Sequence, residues 1–377
     1  MRSAIAALLL VPGSLTAPET PAARPSPSVR VRPDVVYVDR AGGLQRLSCD
    51  FEISNPGDDA LDVAGIVAKA YSAGGMLVAW NKVDSNGARP SVEVLGRRHI
   101  DPKGTITVFN PFLFDAAVPV ARVTYEFRLR GSGDNAPIAS TEVRPIVFAQ
   151  KTRLIVPVPG ARIWAYDGPG FLSHHRRLDL LDPFNRDLMK MTGNSQRYAL
   201  DLVVVDADGA AWHGDLADQK NWFGFGVPIV APAAGIVVEA EGTLPDDIPY
   251  DEARLRERPG LMLGNHVVID HGNGEFSGLA HFRLGSVRVK AGQRVAQGEQ
   301  IGEMGHSGMG SGLIHVHYEL RTSADILKAE GLPARFESLR RAGAAAFERG
   351  AIEAGEVFET PRLPGNIHLP KPARRSP

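Results

Sequence analysis

The chain has 377 residues, enough for two domains that each bury a sizeable hydrophobic core. Its 42 Lys and Arg residues nearly balance its 43 Asp and Glu residues, so bulk charge gives no argument for a nucleic-acid partner or an anionic membrane. The single cysteine excludes an internal disulfide and a cysteine-rich zinc site.

The N-terminus carries a basic residue, Arg2, followed by a short apolar run over residues 4–11 and then by small residues. This pattern is typical of a secretory signal peptide, and the run is too short to span a membrane as a helix. We therefore predict a signal peptide and the start of a linker over residues 1–23. The mature protein is expected to be secreted or periplasmic, without stable membrane insertion, and to end in a disordered basic tail over residues 366–377.

Residues 29–150 show the alternation of half-buried β-strands, most clearly around residues 122–130. Turn signals such as Asn55-Pro56-Gly57-Asp58 separate about seven short strands, which favours an immunoglobulin-like β-sandwich. Cys49 shares the inward face of its strand with Leu47 and Phe51 and is predicted to be a core residue.

Residues 160–365 are predicted to form a second domain, also dominated by strands. Its β-branched runs end at Gly, Pro or Asp, as strands do. A helical spacing follows Leu320, which predicts that residues 321–341 are partly helical, with a break at Pro333. The residues with this spacing are Ala329, Leu332, Phe336 and Leu339. The fold class predicted for the whole chain is all-β.

Two histidines, His315 and His317, lie in a segment of Val, Tyr and Leu that is predicted to be a strand. Strand side chains repeat every two residues, so both imidazoles point to the same face, roughly 7 Å apart along the chain. This spacing suits a divided role, in which one imidazole binds a metal and the other reaches the neighbouring water or substrate. The alternative is a pair of half-exposed strand histidines without chemistry.

Four further motifs accompany this strand. The first contains Asp201, a carboxylate between strand residues that is costly to bury unless it is paired or binds a cation. The others are glycine-punctuated strand pairs, and the third of the four includes His281. The motifs are Arg197–Leu202, Gly226–Val237, Asn265–Gly272 leading to Gly278–Phe282, and Val289–Gly308.

In this order and spacing the motifs resemble the lysostaphin-type zinc metallopeptidases, a LytM-like family of peptidoglycan endopeptidases, over roughly residues 197–322. The resemblance implies a small antiparallel β-fold that binds Zn²⁺ and cleaves peptidoglycan peptides. By position, Asp201 matches the acidic zinc ligand and His317 the histidine ligand, while His281 and His315 match the two catalytic histidines. Two imidazoles and one carboxylate leave a fourth position on zinc for water.

One position departs from the family pattern. The family has its first ligand histidine four residues before the acidic ligand, where this chain has Arg197. Arginine stays protonated and cannot replace a neutral imidazole as a ligand. The best substitutes are His174 and His175, with His213 as a weaker candidate; otherwise the site is metal-poor and the adjacent histidines belong to a solvated loop.

The first functional hypothesis is an exported zinc endopeptidase acting on peptidoglycan cross-links, with the β-sandwich placing it on the wall or on a cell-envelope protein partner. The second is a catalytically silent domain that binds peptidoglycan or activates another hydrolase, which Arg197 favours. The third is a biotinyl or lipoyl carrier, suggested by the hairpin at Gly292–Gly302. No modifiable lysine lies at that hairpin tip, and a carrier leaves the His-x-His strand unexplained.

Overall fold

The computed structural model describes residues 26–131, 137–309 and 312–363. The predicted signal peptide and basic tail lie outside these residues. Within the described ranges, no helix combines the length and the apolar character needed to cross a membrane.

The first part of the chain, here the N-terminal unit, consists of strands in three sheets and one 3₁₀ helix, Ser91–Leu95. The strands are β1 (Ser28–Arg32), β2 (Tyr37–Ala41), β3 (Leu44–Leu47), β4 (Asp50–Ser54), β5 (Leu61–Tyr71), β6 (Leu77–Asp84), β7 (His99–Ile100), β8 (Thr105–Phe109), β9 (Leu113–Asp115), β10 (Arg122–Arg130), β11 (Ile138–Val143) and β12 (Ile146–Val147). The sheets have the orders β1-β4-β8, β11-β10-β5-β6 with β7 beside β5, and β12-β2-β3-β9.

The apolar faces of these sheets enclose a single hydrophobic core. Phe51 of β4 is fully buried and packs against the rings of Tyr125 and Phe127 of β10, as the predicted alternation requires. Cys49 is also fully buried, and burial raises the pKa of its thiol to about 12. Its prediction as a core residue is confirmed, whereas the immunoglobulin-like arrangement of the sheets stays a prediction.

The remainder, here the C-terminal unit, is built on a long mixed sheet and a separate pair of strands. The strands are β13 (Leu154–Ile155), β14 (Arg162–Asp167), β15 (Leu200–Val204), β16 (Pro228–Val230), β17 (Gly235–Glu241), β18 (Asn265–Asp270), β19 (Phe276–Phe282), β20 (Arg294–Val295), β21 (Gln300–Glu303), β22 (Val316–Arg321), β23 (Phe336–Arg341), β24 (Glu348–Gly350) and β25 (Val357–Glu359). The long sheet has the order β13-β23-β25-β14-β15-β22-β19-β18-β17-β20, in which β24 flanks β23, and the separate pair is β16 and β21.

The all-β fold class is therefore confirmed, but the partly helical segment predicted after Leu320 is wrong. Phe336 and Leu339 lie in β23, which pairs with β13, β24 and β25. Pairing across distant parts of the chain outweighs the local helical spacing, because each strand satisfies its backbone groups while its apolar residues stay in the core. The domain boundaries at residues 29–150 and 160–365 stay a prediction.

The helical segments described in the C-terminal unit are all short, and several of them contribute to a small second core. The α-helix α1 (Glu252–Glu257) starts at Asp251, whose side chain accepts a hydrogen bond from the Arg254 backbone N–H. Leu255 of α1 is fully buried in this core beside Leu188. The other short helices are the π-helical turn Phe184–Leu188 and the 3₁₀ helices Ser195–Tyr198, Gln219–Asn221 and Pro259–Met262.

Ion pairs connect the two units. Asp50 of β4 accepts hydrogen bonds from Arg176 and from Arg197, and both guanidinium groups are almost completely buried. A second connection joins Arg46 of β3 to Glu353, at 2.7 Å for one nitrogen–oxygen pair. Burying ions is costly unless they are paired, so these contacts hold the units in one arrangement.

Candidate metal centre

Four neighbouring strands of the long sheet place polar residues in one row. Asp201 of β15 lies opposite His317 of β22 in the strand register, and on its other side it lies opposite Asp167 of β14. His317 is in turn opposite Ala280 of β19, next to His281. Directly opposed residues on one face of a sheet have Cβ atoms about 5 Å apart, which brings these distant parts of the sequence together.

Three imidazole nitrogens surround one oxygen of Asp201. The distances to its Oδ1 are 3.1 Å from His317 Nδ1, 3.3 Å from His315 Nε2 and 3.6 Å from His175 Nε2. All four side chains are less than a tenth exposed. Burial alone raises the pKa of Asp201, but His315 and His175 outweigh it and hold the pKa well below the ordinary value. Asp201 is therefore a carboxylate in a histidine-lined pocket.

The segment between β14 and β15 supplies the adjacent histidines. His175 is buried, and its ring lies edge-on to that of His317 with centroids 4.7 Å apart. His174 is two-thirds exposed and pairs with Asp167, while its Nε2 lies 3.9 Å from Asp201 Oδ2. Four side chains each offer one ligand atom within 4.8 Å of the others, and so form a group able to hold a metal ion. They are Asp167, His174, His175 and Asp201. The structure thus brings both predicted substitutes to the site.

His281 and His315 form a second pair on the other side of the row, with ring centroids 4.7 Å apart. His281 Nδ1 lies 2.7 Å from the carbonyl oxygen of Ser307, and His315 Nδ1 lies 2.9 Å from that of Leu313. A carbonyl only accepts, so each Nδ1 carries hydrogen and each Nε2 is directed away from that anchor. His281 has φ +67°, a left-handed conformation that is uncommon outside glycine.

Sequence reasoning missed two acidic residues here. Glu319 is fully buried between His317 and Arg321. Its Oε2 lies 4.0 Å from His317 Nε2. Asp167 accepts hydrogen bonds from Ser173 Oγ and from the backbone N–H of His174, and so shapes the turn that carries the histidines. The strand period would have identified Glu319, two residues beyond His317 on the same face. Asp167 has only a weak signal, an acid at the end of an alternating strand.

Two other residues considered from the sequence lie outside the cluster. The Arg197 side chain is 1% exposed and extends to Asp50 of the N-terminal unit, with 2.7 Å between Nη1 and Oδ2. His213 is exposed, and its ring stacks on Phe223. Arg197 therefore leaves the position beside Asp201 to other side chains.

A cavity of about 320 Å³ opens onto the cluster and is lined by His175, Asp201, His281 and His315, among others. A second cavity of about 380 Å³ continues from it and shares Met262 and three other lining residues. The shared residues are His174, Gln196, Met262 and Leu263. The buried histidines thus lie at the end of an extended groove open to solvent.

The donor set fits a zinc ion. Zinc binds imidazole nitrogen and carboxylate oxygen at about 2.0–2.1 Å with tetrahedral geometry, which separates neighbouring ligand atoms by about 3.3 Å. The distances from Asp201 Oδ1 to His317 Nδ1 and His175 Nε2, 3.1 and 3.6 Å, bracket this value. Burial lowers the pKa of His175 to about 3, so its imidazole is neutral, as a ligand must be.

The ionisation of His317 gives a testable expectation for metal binding. Burial lowers its pKa, but the hydrogen bond to Asp201 and the negative charges of Asp201 and Glu319 outweigh burial and raise the pKa to about 9. In the metal-free protein His317 is therefore protonated at pH 7.5. The raised pKa stabilises the folded state fully below about pH 6.5, and this stabilisation is lost as the pH rises through about 9.

We expect zinc binding at pH 7.5 to release about one proton, and zinc affinity to rise about tenfold per pH unit below pH 9. Titration calorimetry in buffers of different ionisation enthalpy measures the released protons. Binding without proton release would contradict the cationic state assigned to His317.

The fold and this cluster define an all-β domain with a histidine–carboxylate group able to hold a metal ion, beside an open groove. Residues 223–329 match the sequence profile of "Peptidase family M23". This match, over less than a third of the chain, confirms the resemblance to the M23 peptidases for that part of the sequence.

Among curated proteins, the chain is similar to the peptidoglycan DD-endopeptidase ShyA of Vibrio cholerae serotype O1, with 46% identity over 57 residues. That match covers 15% of this chain and only 13% of the relative. Similar solved structures include the catalytic domain of lysostaphin from Staphylococcus simulans, with 22% sequence identity and a TM-score of 0.21. That match covers 33% of this chain and 86% of the lysostaphin chain. Another is a mutant catalytic domain of the prophage-encoded M23 protein EnpA from Enterococcus faecalis, with 23% identity, 33% and 68% covered, and a TM-score of 0.22.

Proposed function

We propose that this protein is an exported, zinc-dependent endopeptidase that cleaves peptide bonds in peptidoglycan cross-links. The observation that carries the proposal is the convergence of His175, Asp201 and His317 on one point, beside His281 and His315. The M23 domain and the endopeptidase named among its relatives support peptidoglycan as the substrate.

In this proposal His175, Asp201 and His317 hold zinc. Glu319 lies behind His317, where carboxylates behind metal-binding imidazoles commonly lie, and its charge faces Nε2 at 4.0 Å. Asp167 fixes the turn that carries His175. Zinc, when bound, supplies a Lewis acid that polarises a peptide carbonyl and activates water.

His281 is proposed as the proton acceptor. Burial and the neighbouring His315 and His317 lower its pKa well below the ordinary value, so its imidazole is neutral. With Nδ1–H donating to the Ser307 carbonyl, its Nε2 holds a lone pair that takes a proton from the attacking water. His315 is held by Leu313 through Nδ1–H, and in its imidazolium form, which carries hydrogen on both ring nitrogens, it would donate from Nε2 to the negative charge that develops on the carbonyl oxygen of the substrate.

The direct test is digestion of purified peptidoglycan. The protein is treated with chelator, divided, and incubated with or without one equivalent of zinc, and the soluble products are identified by mass spectrometry. We expect zinc to restore the release of fragments cut within the peptide cross-links, with the glycan bonds intact. Release of glycan-cleaved fragments, or equal release without metal, would overturn the proposal.

A second function is favoured by Arg197, which stands where the family has a ligand histidine. In that case the domain binds peptidoglycan or activates another hydrolase without cleaving peptide bonds. The same experiment separates the two functions, because a silent domain sediments with insoluble peptidoglycan but releases no peptide fragments at any zinc concentration.

A further inference from the structure

We infer that Asp50, in the N-terminal unit, is a positioning residue for the metal centre of the C-terminal unit. This inference rests on the proposed zinc site. It gives the N-terminal unit a part in building that site, beyond any role in placing the protein on the cell wall.

Asp50 holds the two segments that flank the cluster. Its Oδ1 accepts from Arg176, the residue directly after His175, and its Oδ2 accepts from Arg197, four residues before Asp201. Arg176 also donates to the carbonyl oxygen of Cys49 at 2.6 Å. One carboxylate therefore ties the histidine-bearing segment and the approach to β15 to the same strand.

Hydrogen bonds then connect these two segments to each other. The side-chain amide of Asn194 donates to the carbonyl oxygen of His175 at 3.0 Å. The carbonyl of Asn194 accepts from the backbone N–H of Arg197 at 3.3 Å and from that of Gly331 at 2.9 Å. A displacement of Arg176 or Arg197 is thereby passed to the backbone of His175.

The burial of these groups explains why the contact has to be kept. Arg176 and Arg197 are 2% and 1% exposed, and Asp50 is 4% exposed. Glu330 is the other acidic partner of Arg197, at 3.4 Å. Without the charge of Asp50, two buried guanidinium groups lose their shared counter-ion, and the segments that carry them have to move to reach water or another anion.

The same contacts account for arginine at position 197. Because His175 supplies an imidazole from another segment, position 197 is not needed for metal binding. Its side chain instead binds the N-terminal unit, and a histidine there would be too short to reproduce this pairing. The substituted ligand and the contact between units are therefore two parts of one arrangement.

The test compares Asp50→Asn, which keeps the shape but removes the charge, with Glu353→Gln, which removes a carboxylate from the other ion pair between the units. Zinc affinity is measured by competition with a chromogenic chelator, metal geometry by the absorption spectrum of the cobalt-substituted protein, and stability by Tm in excess chelator. Arg176→Lys, which keeps the charge, provides a milder variant should Asp50→Asn fail to fold.

We expect Asp50→Asn to weaken zinc binding by about 10- to 100-fold and to change the cobalt spectrum, as loss of groups that orient metal ligands does. Arg176→Lys is expected to shift both measurements in the same direction by less. Glu353→Gln should lower Tm while keeping wild-type affinity and spectrum. The inference is overturned if Asp50→Asn and Arg176→Lys lower only Tm; absence of zinc from the wild-type protein would instead overturn the proposed function.

Discussion

We expect replacement of His175 by alanine to abolish zinc binding, whereas replacement of the adjacent His174 leaves it in place. His175 is buried and neutral, with its Nε2 directed to Asp201. His174 is mainly exposed, and pairing with Asp167 raises the pKa of its imidazole, which favours the protonated form. The measurement is the zinc content of each purified variant after dialysis against a weak chelator.

His213→Ala is the matched control, because it removes an exposed histidine outside the cluster. We expect this variant to keep about one zinc per chain, the content of a single site. The opposite result, zinc lost from His174→Ala and kept by His175→Ala, would assign the ligand role to His174, with Asp167 orienting its ring. Zinc retained by both single variants would place the third ligand elsewhere.

The second large effect is expected from His281→Asn. Asparagine tolerates the left-handed backbone at this position better than alanine does, so the fold is preserved while the imidazole is lost. Loss of a general base typically lowers the rate by about 10²- to 10⁴-fold. We expect kcat for a cross-linked peptide to fall by this factor, with the zinc content unchanged.

The pH dependence provides the control for this variant. The wild-type rate should fall on the acid side as Nε2 of His281 becomes protonated, and the residual rate of His281→Asn should lack this limb. A loss of zinc together with activity would show that His281 supports the metal instead of accepting a proton.

The strand containing His315 and His317 could be predicted from local sequence, because an alternating apolar pattern with two-residue spacing fixes which side chains share a face. The position of Asp201 opposite His317 could not be obtained this way. The two residues are 116 positions apart, and strand register is set by pairing of the whole sheet. The family resemblance supplied that pairing.

The adjacent histidines were predicted as substitutes only because the expected ligand was missing. Their segment has no regular period, so its path back to Asp201 depends on contacts with Asn194, Asp167 and the N-terminal unit. The ion pair of Arg197 could not be predicted from the sequence either, because its partner Asp50 is 147 residues away. Long-range ion pairs leave no local pattern in a sequence.

The wrong helix near Phe336 has a related cause. Apolar residues at a spacing of three to four are compatible with a helix, but they also occur where a loop and a short strand fill one core. Pro333 disfavours a continuous helix, and the edges of β13 and β25 offer partners for an extended segment. Local periodicity cannot reveal such partners.

The buried pairing of Arg176 and Arg197 with Asp50 also restricts how the chain moves during turnover. A hinge rotation that separates the two units would leave Asp50 and Arg176 without a charged partner and Arg197 with Glu330 alone, at a cost of several kcal/mol. The units therefore travel as one rigid body. In the proposed function, access for peptidoglycan would come from rearrangement of side chains and loops around the groove, and not from opening and closing of the units.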